Sequence, residues 1–219
     1  MKTDTKLIIF DMDGLMIDSE RIALETWEFC LKEKNISCER EFLISLMGTT
    51  KFHIFKKFDE KYGEGFDYER NIQPLFVKKR RELIFGTEPE KLIKKGLLEL
   101  IDFAKENGIK IAVASSTVKD EVRLALEHIG VYDYFDFTVC GDEVKNGKPD
   151  PEIFLKALEK SGINKENSVI LEDSSNGLLA GHNAGIRTIF IKDIVTPSDD
   201  VLDTVWEKAD SLLDVMDIL

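Results

Sequence analysis

Early in the chain the sequence runs Leu7-Ile-Ile-Phe10-Asp11-Met-Asp13-Gly14, that is, four apolar residues followed by two aspartates and a glycine. A short, continuous apolar run is typical of a strand that is buried on both faces of a parallel sheet. Aspartates directly after such a strand lie at its carboxyl end, where open α/β sheets place their active sites. Gly14 permits the sharp turn that aims both carboxylates at one point. These residues therefore predict the start of both the sheet and the site.

Four further apolar runs follow, separated by helical patterns. Strands are expected over residues 109–114, 137–140, 169–171 and 187–191, and helices over residues 96–107, 119–129, 151–161 and 175–184. A glycine follows each of these helices, as C-terminal stops do: Gly108, Gly130, Gly162 and Gly185. Strands that alternate with helices predict an α/β fold with an open, parallel, Rossmann-like sheet.

One stretch, residues 17–89, breaks this alternation. It has helical periodicity and no convincing strand, with helices expected over residues 21–34, 39–46, 51–62 and 68–84. The pattern predicts two domains. Residues 1–16 and 90–219 would form the catalytic core, and residues 17–89 would form an all-helical cap inserted after the first strand.

Composition and charge exclude several classes of protein. A chain of 219 residues that is 43% hydrophobic can bury one core and carry a smaller lobe. The net charge of −12 argues against binding a nucleic-acid backbone, and no apolar run approaches the roughly 20 residues of a membrane helix. The polar N-terminus argues against a conventional signal peptide, and three cysteines without CxxC spacing suit a reducing cytosol. We expect a cytoplasmic protein that binds neither nucleic acid nor membrane.

A second pair of carboxylates, Glu172 and Asp173, follows the predicted strand 169–171 and precedes a helix start. Together with Asp11 and Asp13 it suggests a site for a hard cation, whose preferred ligands are oxygen atoms. The alternative is a helix N-terminus that carries acidic residues because the helix dipole favours them.

Hydroxyls and a lysine lie near the ends of other strands. The run Ser115-Ser116-Thr117 follows one strand and can hold phosphate oxygens, although a plain helix N-cap is the alternative. Lys148 lies in a loop that two prolines make rigid, and a fixed cation there could neutralise an anionic substrate. The alternative is that the loop is only a turn that opens the following helix. An acidic protein must gather positive charge locally to bind an anion. All four groups fall at one edge of the predicted sheet, and together they indicate such a site.

These residues resemble the haloacid dehalogenase-like hydrolase superfamily, in particular its phosphatase/β-phosphoglucomutase-like branch. The resemblance covers nearly the whole chain and implies a Rossmann-like core with a helical cap inserted after the first strand. Its four motifs match, in order, Asp11-x-Asp13-Gly14, Ser115, Lys148 and Glu172-Asp173.

The resemblance also implies roles. Asp11 would be the nucleophile that forms an aspartyl-phosphate, and Asp13 would be the acid/base. Mg²⁺ would be bound by the Asp11 carboxylate, the Asp13 backbone carbonyl and Asp173, with Glu172 beside it. The residues that hold the phosphoryl group or the substrate would be Ser115, Ser116, Lys148 and, in the cap, Lys51. The expected activity is Mg²⁺-dependent hydrolysis of a small phosphate monoester, a sugar phosphate or similar.

Two other functions stay open. A β-phosphoglucomutase keeps a cap histidine and a cap arginine, and aligned from Asp11 these positions are Ala23 and Lys51, which makes a phosphatase the preferred reading. A catalytically silent, phosphate-binding regulatory module is the alternative from another class. Dehalogenases lack the second aspartate and the metal, whereas Asp13 and Asp173 are present here. The expected partner is a small phosphorylated metabolite, and the expected oligomeric state is a monomer or weak dimer.

Overall fold

The structure, a computed structural model, describes residues 4–49, 51–63 and 65–219, with Lys51 described by its backbone alone. The chain divides into two compact units, Met1–Asp18 with Pro89–Leu219, and Ser19–Glu88. The strands are β1 (Leu7–Phe10), β2 (Lys110–Ser115), β3 (Phe137–Cys140), β4 (Ser168–Glu172), β5 (Arg187–Ile191) and β6 (Glu207–Ala209). The helices are α1 (Ser19–Glu33), α2 (Arg40–Ile44), α3 (Lys51–Tyr62), α4 (Tyr68–Asn71), α5 (Gln73–Gly86), α6 (Pro89–Leu92), α7 (Leu97–Glu106), α8 (Lys119–His128), α9 (Glu152–Ser161), α10 (Ser175–Ala184), α11 (Asp199–Leu202) and α12 (Val215–Ile218).

The first unit is built on a parallel sheet whose strand order is β3-β2-β1-β4-β5-β6. All four residues of the central strand β1 are fully buried. Leu7 and Ile9 pack in a core cluster with apolar side chains of α9 and α10. Ile8 and Phe10 point to the opposite face, because side chains alternate along a strand. This two-sided burial explains why the strand is apolar at every position, and the predicted fold class is confirmed.

The register of the sheet determines which residues meet at its carboxyl edge. Phe10 pairs with Val113 of β2 on one side and with Leu171 of β4 on the other. One residue further along, Asp11 therefore stands between Ala114 and Glu172. Residues far apart in the sequence are brought side by side by hydrogen bonds between neighbouring strands.

The second unit is helical and has an aromatic core of its own. Phe58 is fully buried and packs against the rings of Phe42, Tyr62, Phe66 and Tyr68. The Trp27 indole N–H donates a hydrogen bond of 3.0 Å to the Tyr68 hydroxyl. None of the helices in the described part of the chain has the length and apolar character that a membrane crossing requires.

Several elements differ from the sequence-based expectation, including the short helices α6, α11 and α12, which were not predicted. The helix expected over residues 68–84 is interrupted at Ile72. α5 then begins with Pro74 in its first turn, where the missing N–H of proline costs nothing because an N–H at that position would have no helical partner. The sixth strand, Glu207–Ala209, was not predicted, since a polar edge strand of three residues has no apolar run to reveal it.

Candidate active site

The polar residues of the predicted motifs converge at the carboxyl edge of the sheet. Asp11 continues the ladder beyond β1, because its N–H donates to the Leu171 carbonyl at 3.1 Å. Ser115 is the last residue of β2 and Glu172 the last of β4. Both are buried, as are Asp11 and Asp173. Buried carboxylates are costly unless they are paired, so their partners define the site.

Lys148 is the partner of two of these carboxylates. Its ammonium lies 2.5 Å from Asp11 Oδ1 and 2.6 Å from Glu172 Oε1, and it also donates to the Ala114 carbonyl at 3.1 Å. Three acceptors therefore use the three donors of the ammonium. The side chain is only 6% exposed, and its nitrogen also lies over the Phe154 ring. Lys148 is held as a fixed positive charge against the Asp11 carboxylate.

Glu172 also holds the Lys148 ammonium in place, because its Oε1 accepts a hydrogen bond from that group. While Oε1 accepts from Lys148, Oε2 accepts from the backbone N–H groups of Asp173 and Ser174 and from the Ser174 hydroxyl. A Cβ placed on Gly177 would lie 1.7 Å from Glu172 Oε1, so the turn into α10 has room for this carboxylate only because residue 177 is glycine. Both carboxylate oxygens of Glu172 therefore accept hydrogen bonds, one from Lys148 and the other from the turn between β4 and α10.

The site could hold a metal ion. Carboxylate oxygens of Asp11, Glu172 and Asp173 lie within 4.8 Å of one another, and all three residues are buried. Oxygen donors of this kind fit a hard divalent cation. The Asp173 carboxylate lies against Gly14, where a Cβ would come within 2.2 Å of its Oδ2 and where the backbone φ of +85° also favours glycine.

The second aspartate of the first motif, Asp13, lies apart from the lysine contacts. Its Oδ2 accepts a hydrogen bond of 2.9 Å from the Thr117 hydroxyl, and the Thr117 N–H donates to Ser115 Oγ at 3.1 Å. Ser116, also predicted to contact substrate, is exposed in the same turn. Thr117 thus links the turn after β2 to the turn after β1. No sequence pattern distinguishes this threonine from the two serines before it, since the contact spans 104 positions of the chain.

The predicted substrate contact in the helical unit is not described. Lys51 begins α3, but its side chain lies outside the described residues. Ala23, which replaces the histidine of the mutases, lies in α1 and is buried. The ion pair Lys94–Asp193 also belongs to the neighbourhood of the site, and no motif in the sequence pointed to it.

Burial changes the acidity of the central carboxyl group. It raises the pKa of Asp11 to about 8; Lys148 opposes that rise, whereas the negative charges of Glu172 and Asp13 add to it. The same neighbours, Asp11 and Glu172, raise the pKa of Lys148 against the effect of burial, so this ammonium stays charged throughout the neutral range. At this pKa, the charge of Asp11 changes near neutrality in the metal-free protein.

This shift predicts a pH dependence of stability. The pKa of Asp11 is about 8 in the folded protein, whereas the ordinary pKa of an aspartate is 3.8, so between these values the folded state binds a proton that the unfolded state does not. Stability is then greatest on the acidic side and falls as the pH rises through this interval. We expect the free energy of unfolding of the metal-free wild type to fall relative to that of Asp11→Asn between about pH 5 and pH 8. Urea unfolding of both proteins over this range, with a chelator present, measures the difference, and a constant difference would contradict the expectation.

The comparisons with known proteins agree with this architecture. The family model for haloacid dehalogenase-like hydrolases matches residues 8–191. A phosphorylated carbohydrates phosphatase of Thermotoga maritima is 32% identical over 185 residues, which cover 84% of this chain and 83% of the relative. A fructose-1-phosphate phosphatase of Escherichia coli is 27% identical over 187 residues, which cover 84% of this chain and 95% of the relative.

Solved structures show the same fold. The crystal structure of a β-phosphoglucomutase from Clostridium difficile superimposes with a TM-score of 0.75 over 96% of this chain and 93% of its own, at 24% identity. At that identity the likeness concerns the fold alone. The predicted enzyme class, a hydrolase of this superfamily, is confirmed by the family match and by the relatives. The chain belongs to the haloacid dehalogenase-like hydrolase family.

Proposed function

We propose that this protein is a Mg²⁺-dependent phosphatase that hydrolyses a small phosphate monoester, a sugar phosphate or similar, through an aspartyl-phosphate on Asp11. The observation that carries the proposal is the contact of the Asp11 carboxylate with the buried ammonium of Lys148 at 2.5 Å. An anionic nucleophile is repelled by an anionic phosphate unless positive charge is fixed beside both. Lys148 supplies such a charge at the carboxyl edge of the sheet.

In the proposed reaction, an Asp11 carboxylate oxygen attacks phosphorus while the bond from phosphorus to the leaving oxygen breaks. Asp13 gives its proton to that oxygen, because an alkoxide is a poor leaving group. Asp13 then takes a proton from water, whose oxygen attacks the phosphorus of the aspartyl-phosphate. Phosphate leaves, and Asp11 is regenerated as a carboxylate. Ser115, Ser116 and Lys148 hold the transferring group.

The proposed metal ligands are Asp11, Asp173 and the backbone carbonyl of Asp13, with Glu172 beside them. When bound, Mg²⁺ would supply positive charge that stabilises the phosphoryl group and keeps Asp11 ionised. Glu172 already accepts hydrogen bonds on both oxygens, which supports a role through Lys148 or through water in preference to direct ligation. In this proposal the sheet-based unit is the catalytic core, and the helical unit is the cap that selects the substrate.

Thr117 provides a test of the role of Asp13. Its hydroxyl donates to Asp13 Oδ2 and so holds the proposed acid/base in one orientation. We expect Thr117→Val to lower kcat about 10- to 100-fold, because Asp13 is ionised once it has given up its proton and would then lose a hydrogen bond to its charged form. Thr117→Ser, which keeps the hydroxyl, should restore most of the rate. If both variants lose the same activity, the hydroxyl has no part in orienting Asp13.

Phosphate release from a panel of monoesters, measured with Mg²⁺ and after its removal, tests the proposed activity. Release that requires the metal supports the phosphatase. The panel should contain fructose 1-phosphate, and also β-glucose 1-phosphate with its bisphosphate primer. Glucose 6-phosphate formed without free phosphate would favour a mutase. No turnover of any member would favour the silent regulatory module.

The proposed location is cytoplasmic, and the proposed partner is a small phosphorylated metabolite. The three cysteines are free thiols, which supports a reducing compartment. The net charge of −12 does not suit a nucleic-acid partner.

A further inference from the structure

A buried carboxylate that the proposed mechanism does not use lies in the loop after β5. The Asp193 side chain is only 8% exposed, and its Oδ1 is paired with the Lys94 ammonium at 2.5 Å. Its Oδ2 is also buried and has no hydrogen-bond partner in the part of the chain that the structure describes. Leaving a buried acceptor without a donor is costly, so a donor from outside the chain, such as a water molecule, is expected at this oxygen.

The free oxygen of Asp193 points toward the proposed metal site. A Cβ placed on Gly14 would lie 3.2 Å from Asp193 Oδ2 and 2.2 Å from Asp173 Oδ2. Both oxygens therefore approach the same face of Gly14, the glycine of the first motif. Two buried carboxylates repel each other in such a place unless positive charge or hydrogen-bond donors lie between them.

Lys94 holds Asp193 in this orientation. Its backbone N–H donates to the Met16 carbonyl at 3.0 Å, and its ammonium binds Asp193 Oδ1. The lysine thus connects the turn after β1 to the loop after β5. Since Lys94 neutralises only Oδ1, it leaves Oδ2 turned toward Gly14 and Asp173.

From these contacts we propose that Asp193 is a positioning residue for the divalent cation, and that its Oδ2 accepts a hydrogen bond from the hydration shell of that ion. Asp193 stands outside the three carboxylates whose oxygens lie within 4.8 Å of one another, which favours action through water over direct ligation. Outer partners of this kind orient the ligands and tune metal affinity. The inference rests on the proposed function, because it takes Asp11 and Asp173 as the metal ligands.

Calorimetric titration of the metal-free protein with Mn²⁺ tests the proposal without measuring catalysis. We expect Asp193→Asn to raise the Kd for Mn²⁺ about 10- to 100-fold, the usual effect of losing an outer hydrogen-bond partner. The matched control is Asp210→Asn. It removes one negative charge from the 470 Å³ cavity that Lys94 also lines, and it should leave the Kd unchanged. An equal weakening by Asp210→Asn would reduce the effect to long-range charge and overturn the proposal.

Two further variants, Lys94→Met and Asp173→Asn, separate the possible failures. If Asp193→Asn and Lys94→Met both lower the thermal midpoint while both bind Mn²⁺ as the wild type does, Asp193 serves only as a structural partner of Lys94, and the inference is wrong. Asp173→Asn is the reference for the proposed metal site. If it loses Mn²⁺ binding while Asp193→Asn keeps it, the metal site stands and only the inference fails. If the wild type itself binds no Mn²⁺, the proposed metal site and the inference fail together.

Discussion

Asp11→Asn is expected to lower phosphate release by at least about 10⁴-fold, because the variant lacks the carboxylate that would form the aspartyl-phosphate. The substitution keeps the shape of the side chain, so the loss should occur without unfolding. Asn also relieves the burial of a negative charge next to Glu172 and Asp13, the effects that raise the pKa of Asp11. The thermal midpoint of the metal-free variant at neutral pH should therefore equal or exceed that of the wild type.

The control for this variant is Asp133→Asn, which makes the same chemical change at an exposed residue between α8 and β3. It should release phosphate at the wild-type rate. Acid quenching during turnover should trap phosphate on the wild-type protein and none on Asp11→Asn. A folded Asp11→Asn protein that keeps the wild-type rate would rule out Asp11 as the nucleophile, whatever the substrate is.

Lys148→Met is expected to impair both stability and activity. Removing the ammonium leaves the Asp11 and Glu172 carboxylates buried without the cation that both contact. Removing one partner of a buried ion pair typically lowers the free energy of unfolding by about 3–5 kcal/mol, and Lys148 is almost completely buried. Activity should fall about 10²- to 10³-fold as well, since the lysine is the fixed charge beside the transferring phosphoryl group.

A double variant distinguishes these two effects. Lys148→Met with Glu172→Gln removes one positive and one negative charge, so the cluster regains the net charge of the wild type. We expect the double variant to recover much of the lost free energy of unfolding, measured in urea, and to remain as inactive as Lys148→Met. Recovery of activity together with stability would show that Lys148 acts only by stabilising the fold.

Most of the sheet could be predicted from the sequence, because a strand buried on both faces is a short, continuous run of apolar residues. Residues 7–10 are apolar at every position, and this run coincides with β1. The sixth strand could not be predicted in the same way. Its residues, Glu207–Ala209, are held by pairing with β5, so their strand conformation depends on a neighbour and not on their own side chains.

The candidate site shows the same division. Spacing along the chain placed Asp11, Asp13, Glu172 and Asp173 after strands, since a strand followed by polar residues is a local pattern. Which of these carboxylates would meet Lys148 could not be read from that pattern. The parallel register decides it, because it sets Asp11 beside Ala114 and Glu172, within reach of one ammonium.

By itself the sequence determined that an α/β sheet is interrupted by a helical insertion and that charged residues follow its strands. Strand and helix periods and turn residues depend on neighbours a few positions apart, and these are visible in any sequence. Only the tertiary structure decided that Thr117 donates to Asp13 and that Asp193 faces Gly14 while Lys94 holds it. Those contacts join residues about a hundred or more positions apart. They exist because packing and strand register bring the turns after β1, β2 and β5 to one edge of the sheet.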